Sequence, residues 1–142
     1  MDQIVTDKTL VDTIRRHAMN TPNAVAFHFE GRDTTYAEFD RRTNKVGNAL
    51  LAAGLRHGDH IAFLGKNSDH FFELMYGAMK VGVIMTPVNW RLAPPEMIYI
   101  INNAEAPALF VGPEFSSAVR GFGPQLPAVR RWRTANSIGR VM

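Results

Sequence analysis

The residues best placed to do chemistry are Asn89, Trp90 and Arg91, which end the run Val83-Ile84-Met85-Thr86-Pro87-Val88-Asn89-Trp90-Arg91-Leu92. An apolar run of this length suits a strand buried on both faces, and Pro87, which cannot donate to a ladder, marks its exit. Arg91 therefore stands just past a strand's carboxyl end, the edge of an open α/β sheet where ligands bind. A guanidinium there suits bidentate recognition of a phosphate, and its alternative is to pair with a carboxylate or cap a carbonyl. Asn89 reads as a structural corner residue and Trp90 as a surface or subunit-contact aromatic. Gly65-Lys66-Asn67-Ser68 is a weaker candidate. A Walker loop has four residues between its glycines and Ser or Thr after its lysine. Here six residues separate Gly58 from Gly65, and Asn67 follows Lys66. Lys66 therefore reads as a strand-to-helix turn residue. The chain has no cysteine, which excludes disulfides, thiolate metal sites and a cysteine nucleophile.

The elements that must position these residues follow from periodicity. Thr9, with Asp12 three residues on, opens a first helix whose stripe is Leu10, Ile14 and Ala18. Val25, Phe27 and Phe29 alternate with polar or small residues as a half-buried strand, with His28 on its solvated side. Glu30-Gly31-Arg32 turns the chain back through 33–35. Thr35-Tyr36-Ala37-Glu38 reads as a capping box, opening a helix with Phe39, Val46, Leu50 and Ala53 on one face. Arg41, Arg42 and Lys45 read as its solvated face, and Gly54 as its stop. Residues 60–65 form the next strand, continuously apolar from Ile61 to Leu64 and so central. Asn67 or Ser68 caps a helix with a stripe of Phe71 or Phe72, Met75, and Ala78 or Met79, and Gly82 ends it. Pro94 and Glu96 open another helix, with Met97, Ile98, Ile101 and Ala104 inward, although Ala93 cannot cap it. Residues 108–111 form a short buried strand, 114–122 a helix, and 126–132 the start of a further strand. Three strand-helix alternations over 60–122 predict an α/β fold. It is a doubly wound, mostly parallel sheet flanked by helices, with an N-terminal helix and β-hairpin.

Composition supports a globular chain. With 142 residues, 46% hydrophobic and 20% charged, it fits one domain over 1–142 and excludes disorder. No apolar run approaches the roughly 20 residues needed to cross a bilayer. The N-terminus, carrying Asp2 and Asp7, lacks the apolar core of a signal peptide, and the expected location is cytoplasmic. The net charge of +3 is uneven: 115–142 holds five arginines (Arg120, Arg130, Arg131, Arg133, Arg140) and no acid. This basic tail reads as a truncated surface segment rather than a nucleic-acid arm, because the body has no basic face to continue it.

Read in order, Thr34-Thr35-Tyr36-Ala37-Glu38-Phe39, then Gly54-Leu55-Arg56-His57-Gly58-Asp59-His60-Ile61-Ala62, then the run from Lys80 through Pro87-Val88-Asn89-Trp90-Arg91-Leu92 to Glu96 resemble the N-terminal region of AMP-forming acyl-CoA synthetases in the adenylate-forming superfamily. The match in order and spacing runs from about Thr9 to Val129. The resemblance implies a parent enzyme in which a fatty or aromatic carboxylate attacks the α-phosphate of ATP to give an acyl-adenylate. The thiol of coenzyme A then displaces AMP. It implies ATP, Mg and coenzyme A as cofactors of that parent, and Arg91 as a contact to a phosphate of the nucleotide end of coenzyme A.

The family's phosphate loop, roughly Ser-Gly-Thr-Thr-Gly-x-Pro-Lys-Gly, has no counterpart here, nor do its adenine and ribose segments or its C-terminal lysine domain. The expectation is an N-terminal subdomain, inactive alone and binding none of these cofactors tightly, with no catalytic residue and no metal site of its own. Its partners are then the remainder of the synthetase, or other copies through exposed apolar surface. The rival from another class is a non-catalytic interaction or oligomerisation module. A peptide-synthetase adenylation domain fits less well, because its corresponding stretch more often reads Ala-Tyr-x-Pro-x-Asp-Pro.

Overall fold

The computed structural model describes residues 7–135; Asp2 and Arg140, used above in reading the termini, lie outside them. The chain runs α1 (Leu10–Asn20), β1 (Val25–Phe29), β2 (Arg32–Thr35), α2 (Tyr36–Ala52), β3 (His60–Leu64), α3 (Asp69–Lys80), β4 (Ile84–Val88), α4 (Pro94–Asn103), β5 (Ala108–Val111), α5 (Ser116–Phe122) and β6 (Arg131–Thr134). Strands β1 and β2 form an antiparallel hairpin. The other four form one sheet in the order β4-β3-β5-β6, all parallel.

That order follows from handed connections. The chain steps outward from β3 to β4 through α3, then crosses back to β5 through α4 and onward through α5. Right-handed crossovers in opposite directions place their helices on opposite faces. Two cores result. Leu74 and Ala78 of α3, with Val46 and Leu50 of α2, pack on Ile61 and Phe63. On the other face Met97 and Ile101 of α4, with Val119 and Phe122 of α5, pack on Ala62, Leu64, Leu109 and Val111. β3 alternates between these cores and is central, as its continuous apolar run predicts.

β4 departs from expectation. It is an edge strand of this sheet rather than one buried on both faces, and Ile84 is 48% exposed. Within β4 only Val88 is buried, together with Val83 just before the strand. Pro87 belongs to the ladder, opposite Phe63, which an edge strand permits when the missing N–H faces outward.

Local chemistry sets the element ends. Thr9 and Asp12 form the predicted capping box. In α1, Val11 and Ile14 are buried while Leu10 is exposed, because the helix rests on the edge of the α2–α3 layer and only a narrow strip is covered. Glu30 and Gly31 both take positive φ (46° and 77°), the two-residue turn whose twist matches a hairpin. Only half of the predicted box forms at α2. Thr35 accepts from the Glu38 amide at 3.2 Å, but the Glu38 carboxylate turns to Arg42.

Thr43 and Gly47 join Phe39, Val46 and Leu50 on the buried face of α2, and Ala53 is exposed. Ser68 caps α3, whose buried stripe is Leu74, Gly77 and Ala78, while Phe72 and Met79 are exposed. At Gly77, α2 and α3 touch so closely that an added Cβ would lie 2.5 Å from the Val46 Cβ. At α4, Ala93 supplies no side-chain cap. The Glu96 carboxylate compensates by accepting from the Ala93 amide at 2.9 Å. The final strand begins at Arg131, later than the 126–132 reading, after a turn in which the Arg130 amide donates to the Pro107 carbonyl.

Candidate functional site

The carboxyl ends of β3, β4 and β5 place three short corners side by side: residues 65–68, 89–92 and 112–114. The connection from β3 departs toward β4 and that from β5 toward β6, so the sheet reverses direction between β3 and β5. Such a point opens a crevice outside the strand ends. A cavity of about 490 Å³ lies there, bordered by Phe63, Lys66, Asn67, Gly112, Glu114 and Arg32 among others.

The corner after β4 is built locally. Asn89 Oδ1 accepts from the Arg91 amide at 3.0 Å, and the Leu92 amide donates to the Asn89 carbonyl at 3.2 Å. Asn89 is thus the predicted corner residue, holding the backbone that carries Arg91. Trp90 is half-buried rather than a free surface aromatic. Its ring packs against the α4–α5 core and lies 5.9 Å from that of Phe115. The Arg91 guanidinium sits 4.3 Å from the centre of the indole, and Lys66 Nζ lies 5.1 Å from the same centre. Neither alternative for Arg91 is realised among the described residues, where its guanidinium makes no ion pair and no hydrogen bond to a carbonyl.

By its local sequence Lys66 is a turn residue, with no mark of a binding role. The signal that finds it is register. Leu64 pairs with Val88, so two residues beyond each strand end bring Lys66 opposite Trp90.

A second charged cluster, not anticipated, lies between β2, α2 and α3. Arg32 reaches Asp69 at 2.7 Å, and Arg42 reaches Glu73 at 2.9 Å while also binding Glu38. The Asp69 and Glu73 side chains are only 5% and 7% exposed. Arg42 is therefore part of an ion-pair network, not of a solvated face; Arg41 and Lys45 remain exposed. Burial pushes the Asp69 carboxyl up, but the Arg32 guanidinium and neighbouring His70 outweigh it and hold its pKa below the usual range. His70, whose Nδ1 is 3.5 Å from Glu73, is raised by that carboxylate against the opposing effect of burial. Two turns further along the same face of α3, Lys80 donates to Asp40 at 2.6 Å. Burial lowers the Lys80 pKa despite that partner. These pairs bind the hairpin and α2 to α3, and their carboxylates are occupied by arginine or lysine.

Among the described residues no group of three His, Asp or Glu side chains is arranged to hold a metal ion. None of the helices described is long and apolar enough to cross a membrane.

The sequence profile of the AMP-binding enzyme family matches residues 14–139. A fatty acid–[acyl-carrier-protein] ligase of Streptomyces coeruleorubidus is 42% identical over 79% of this chain and 22% of its own length. A feruloyl-CoA synthase of an Amycolatopsis species is 36% identical over 73% of this chain and 21% of its own. The crystal structure of the N-terminal domain of FACL13 from Mycobacterium tuberculosis superposes with a TM-score of 0.89 at 28% identity. That superposition covers 95% of this chain and 36% of that one. The chain thus spans about a fifth of the length of the curated relatives it matches.

Proposed function

We propose, from the premise that this chain belongs to the AMP-binding enzyme family, that it forms the N-terminal part of an acid–thiol ligase. The ligase activates a fatty or aromatic carboxylic acid. In the first step the carboxylate oxygen attacks the α-phosphorus of ATP, and pyrophosphate leaves with its bonding electrons. In the second, the thiol of coenzyme A attacks the acyl carbon, loses its proton and expels AMP. No phosphate loop of the kind the first step requires lies within these 142 residues. The residues present supply a scaffold and one binding corner, and the adenylation chemistry is assigned to sequence that the relatives carry outside the matched region. A metal such as Mg would be held there with the nucleotide phosphates.

The observation that carries the reading is Arg91. Its backbone is pinned by Asn89 at a strand's carboxyl end, and its guanidinium lies on an indole without a carboxylate partner among the described residues. That is a pre-oriented cation for a phosphate of coenzyme A.

The test is kinetic. In the ligase polypeptide bearing these residues, Arg91→Ala raises the coenzyme A Michaelis constant about tenfold, the worth of one charge-assisted contact. The preceding adenylation step, followed by ATP–pyrophosphate exchange with fatty and aromatic acids, changes little. An unaltered coenzyme A constant would remove Arg91 from the site, and absence of exchange with every acid would remove the ligase reading itself.

A further inference from the structure

We infer that Lys66 is a second phosphate contact at this corner. With Arg91 it forms, about the Trp90 ring, a two-cation seat that selects a thiol substrate carrying a phosphomonoester. The inference rests on the ligase reading and sharpens it from a phosphate contact to a choice between acceptor classes.

Three observations carry it. The first is placement. Lys66 and Trp90 each stand two residues beyond the paired strand ends Leu64 and Val88, so the ladder itself sets them opposite one another. The second is charge. Lys66 Nζ at 5.1 Å and the Arg91 guanidinium at 4.3 Å from one ring centre put two like charges within the sum of those distances. Neither cation makes an ion pair among the described residues, whereas Arg16, Arg32, Arg42 and Lys80 each rest on a carboxylate. Three acids, Glu30, Asp69 and Glu114, border the cavity beside Lys66 without pairing to it, Asp69 being held by Arg32. The third is rigidity. The indole is fixed by the core and by Phe115, and cation–π contact holds both side chains over it at small entropic cost.

A seat of charge +2 suits a dianion. The phosphomonoester at the nucleotide end of coenzyme A carries about −1.5 to −2 near neutral pH, as any such ester does. A thiol tethered to a carrier protein presents only a phosphodiester, with a single charge. The structure therefore assigns this corner to free coenzyme A rather than to a carrier-bound acceptor.

The experiment compares coenzyme A with dephospho-coenzyme A in the ligase polypeptide, using Lys66→Met, Lys66→Arg and Arg91→Met. ATP–pyrophosphate exchange is measured on each variant to normalise for folded enzyme. Expected are a rise of about tenfold in the Michaelis constant for coenzyme A with Lys66→Met, little change for the dephospho compound, and substantial retention with Lys66→Arg. If Arg91→Met weakens coenzyme A and Lys66→Met does not, the inference falls and the ligase reading stands. Equal losses for both thiols would make Lys66 a structural residue, which also overturns it. If neither variant responds, the assignment of this corner falls with it.

A second measurement keeps the inference open to refutation should a variant fold poorly. In this chain, Trp132→Phe leaves Trp90 as the remaining tryptophan, whose fluorescence is titrated with adenosine 3′,5′-bisphosphate and adenosine 5′-monophosphate. Tighter quenching by the bisphosphate, abolished by Lys66→Met, supports the seat; identical curves overturn it.

Discussion

At the scale of single residues, the charged cluster behind the sheet edge has a calculable pH signature. His70 is raised above its ordinary 6.5 by Glu73, so its contribution to stability is complete below that value and is lost as pH climbs through the raised one. Asp69 is shifted the other way. Its contribution is present above its ordinary 3.8 and disappears as pH falls through the depressed value. The melting temperature is therefore expected to be highest between these limits and to decline over the pH interval above about 6.5. Glu73→Gln removes the cause of the upper limb, so its melting temperature should be flatter over that interval. It should also lower stability by about 1–3 kcal/mol in urea unfolding, because Arg42 loses a charged acceptor in a largely buried place. A wild-type curve that is level above pH 6.5 would contradict the role given to His70.

At the scale of elements, the α2–α3 contact and the start of α4 lend themselves to measurement. Gly77→Ala improves helix propensity by about 1 kcal/mol but drives a methyl group to within 2.5 Å of the Val46 Cβ, a contact that must move. Overpacking of this kind costs about 1–3 kcal/mol, so the net change is destabilising. Val46→Ala in the same chain should recover part of the loss, which a double-mutant cycle in denaturant resolves. The α4 start works in the opposite direction. Ala93 already has the extended backbone of a cap (φ −72°, ψ 153°) but no side-chain acceptor. Ala93→Ser is expected to add about 0.5–1 kcal/mol, read as a shift of the urea midpoint without a change in slope.

At the scale of the whole molecule, what could be read in advance was whatever a short window encodes. The apolar run of β3, the Ser68 cap, the glycine stop at Gly82 and the Asn89 corner all reflect rules spanning a few residues. The position of β4 did not follow from its own composition. A run such as Val83-Ile84-Met85 looks the same at the centre of a sheet and at its rim, and only the order of the strands decides. The Arg42–Glu73 and Arg32–Asp69 pairs join residues 31 and 37 positions apart, and no periodic pattern announces them. The meeting of Lys66 with Trp90 was hidden for a related reason, since it depends on the register of two parallel strands. The relatives are also several times longer than this chain, so the native product is expected to migrate well above 15.9 kDa on an immunoblot. A band at 15.9 kDa would redirect attention from catalysis to binding partners.

The proline in β4 bears on how this molecule behaves in a crowded solution. The Ile84 amide donates inward to the Asp59 carbonyl, so alternation turns the amides of Thr86 and Val88 inward too, and positions 85 and 87 outward. At 87 there is no hydrogen to offer. A strand arriving from another molecule would find a single donor, at Met85, along the five residues of this rim, too few to seed a growing ribbon. The same proline that ends the ladder's outward reach thus acts as a guard against polymerisation. Pro87→Thr should remove it, visible as light scattering that climbs with time and concentration while the native far-ultraviolet spectrum is kept.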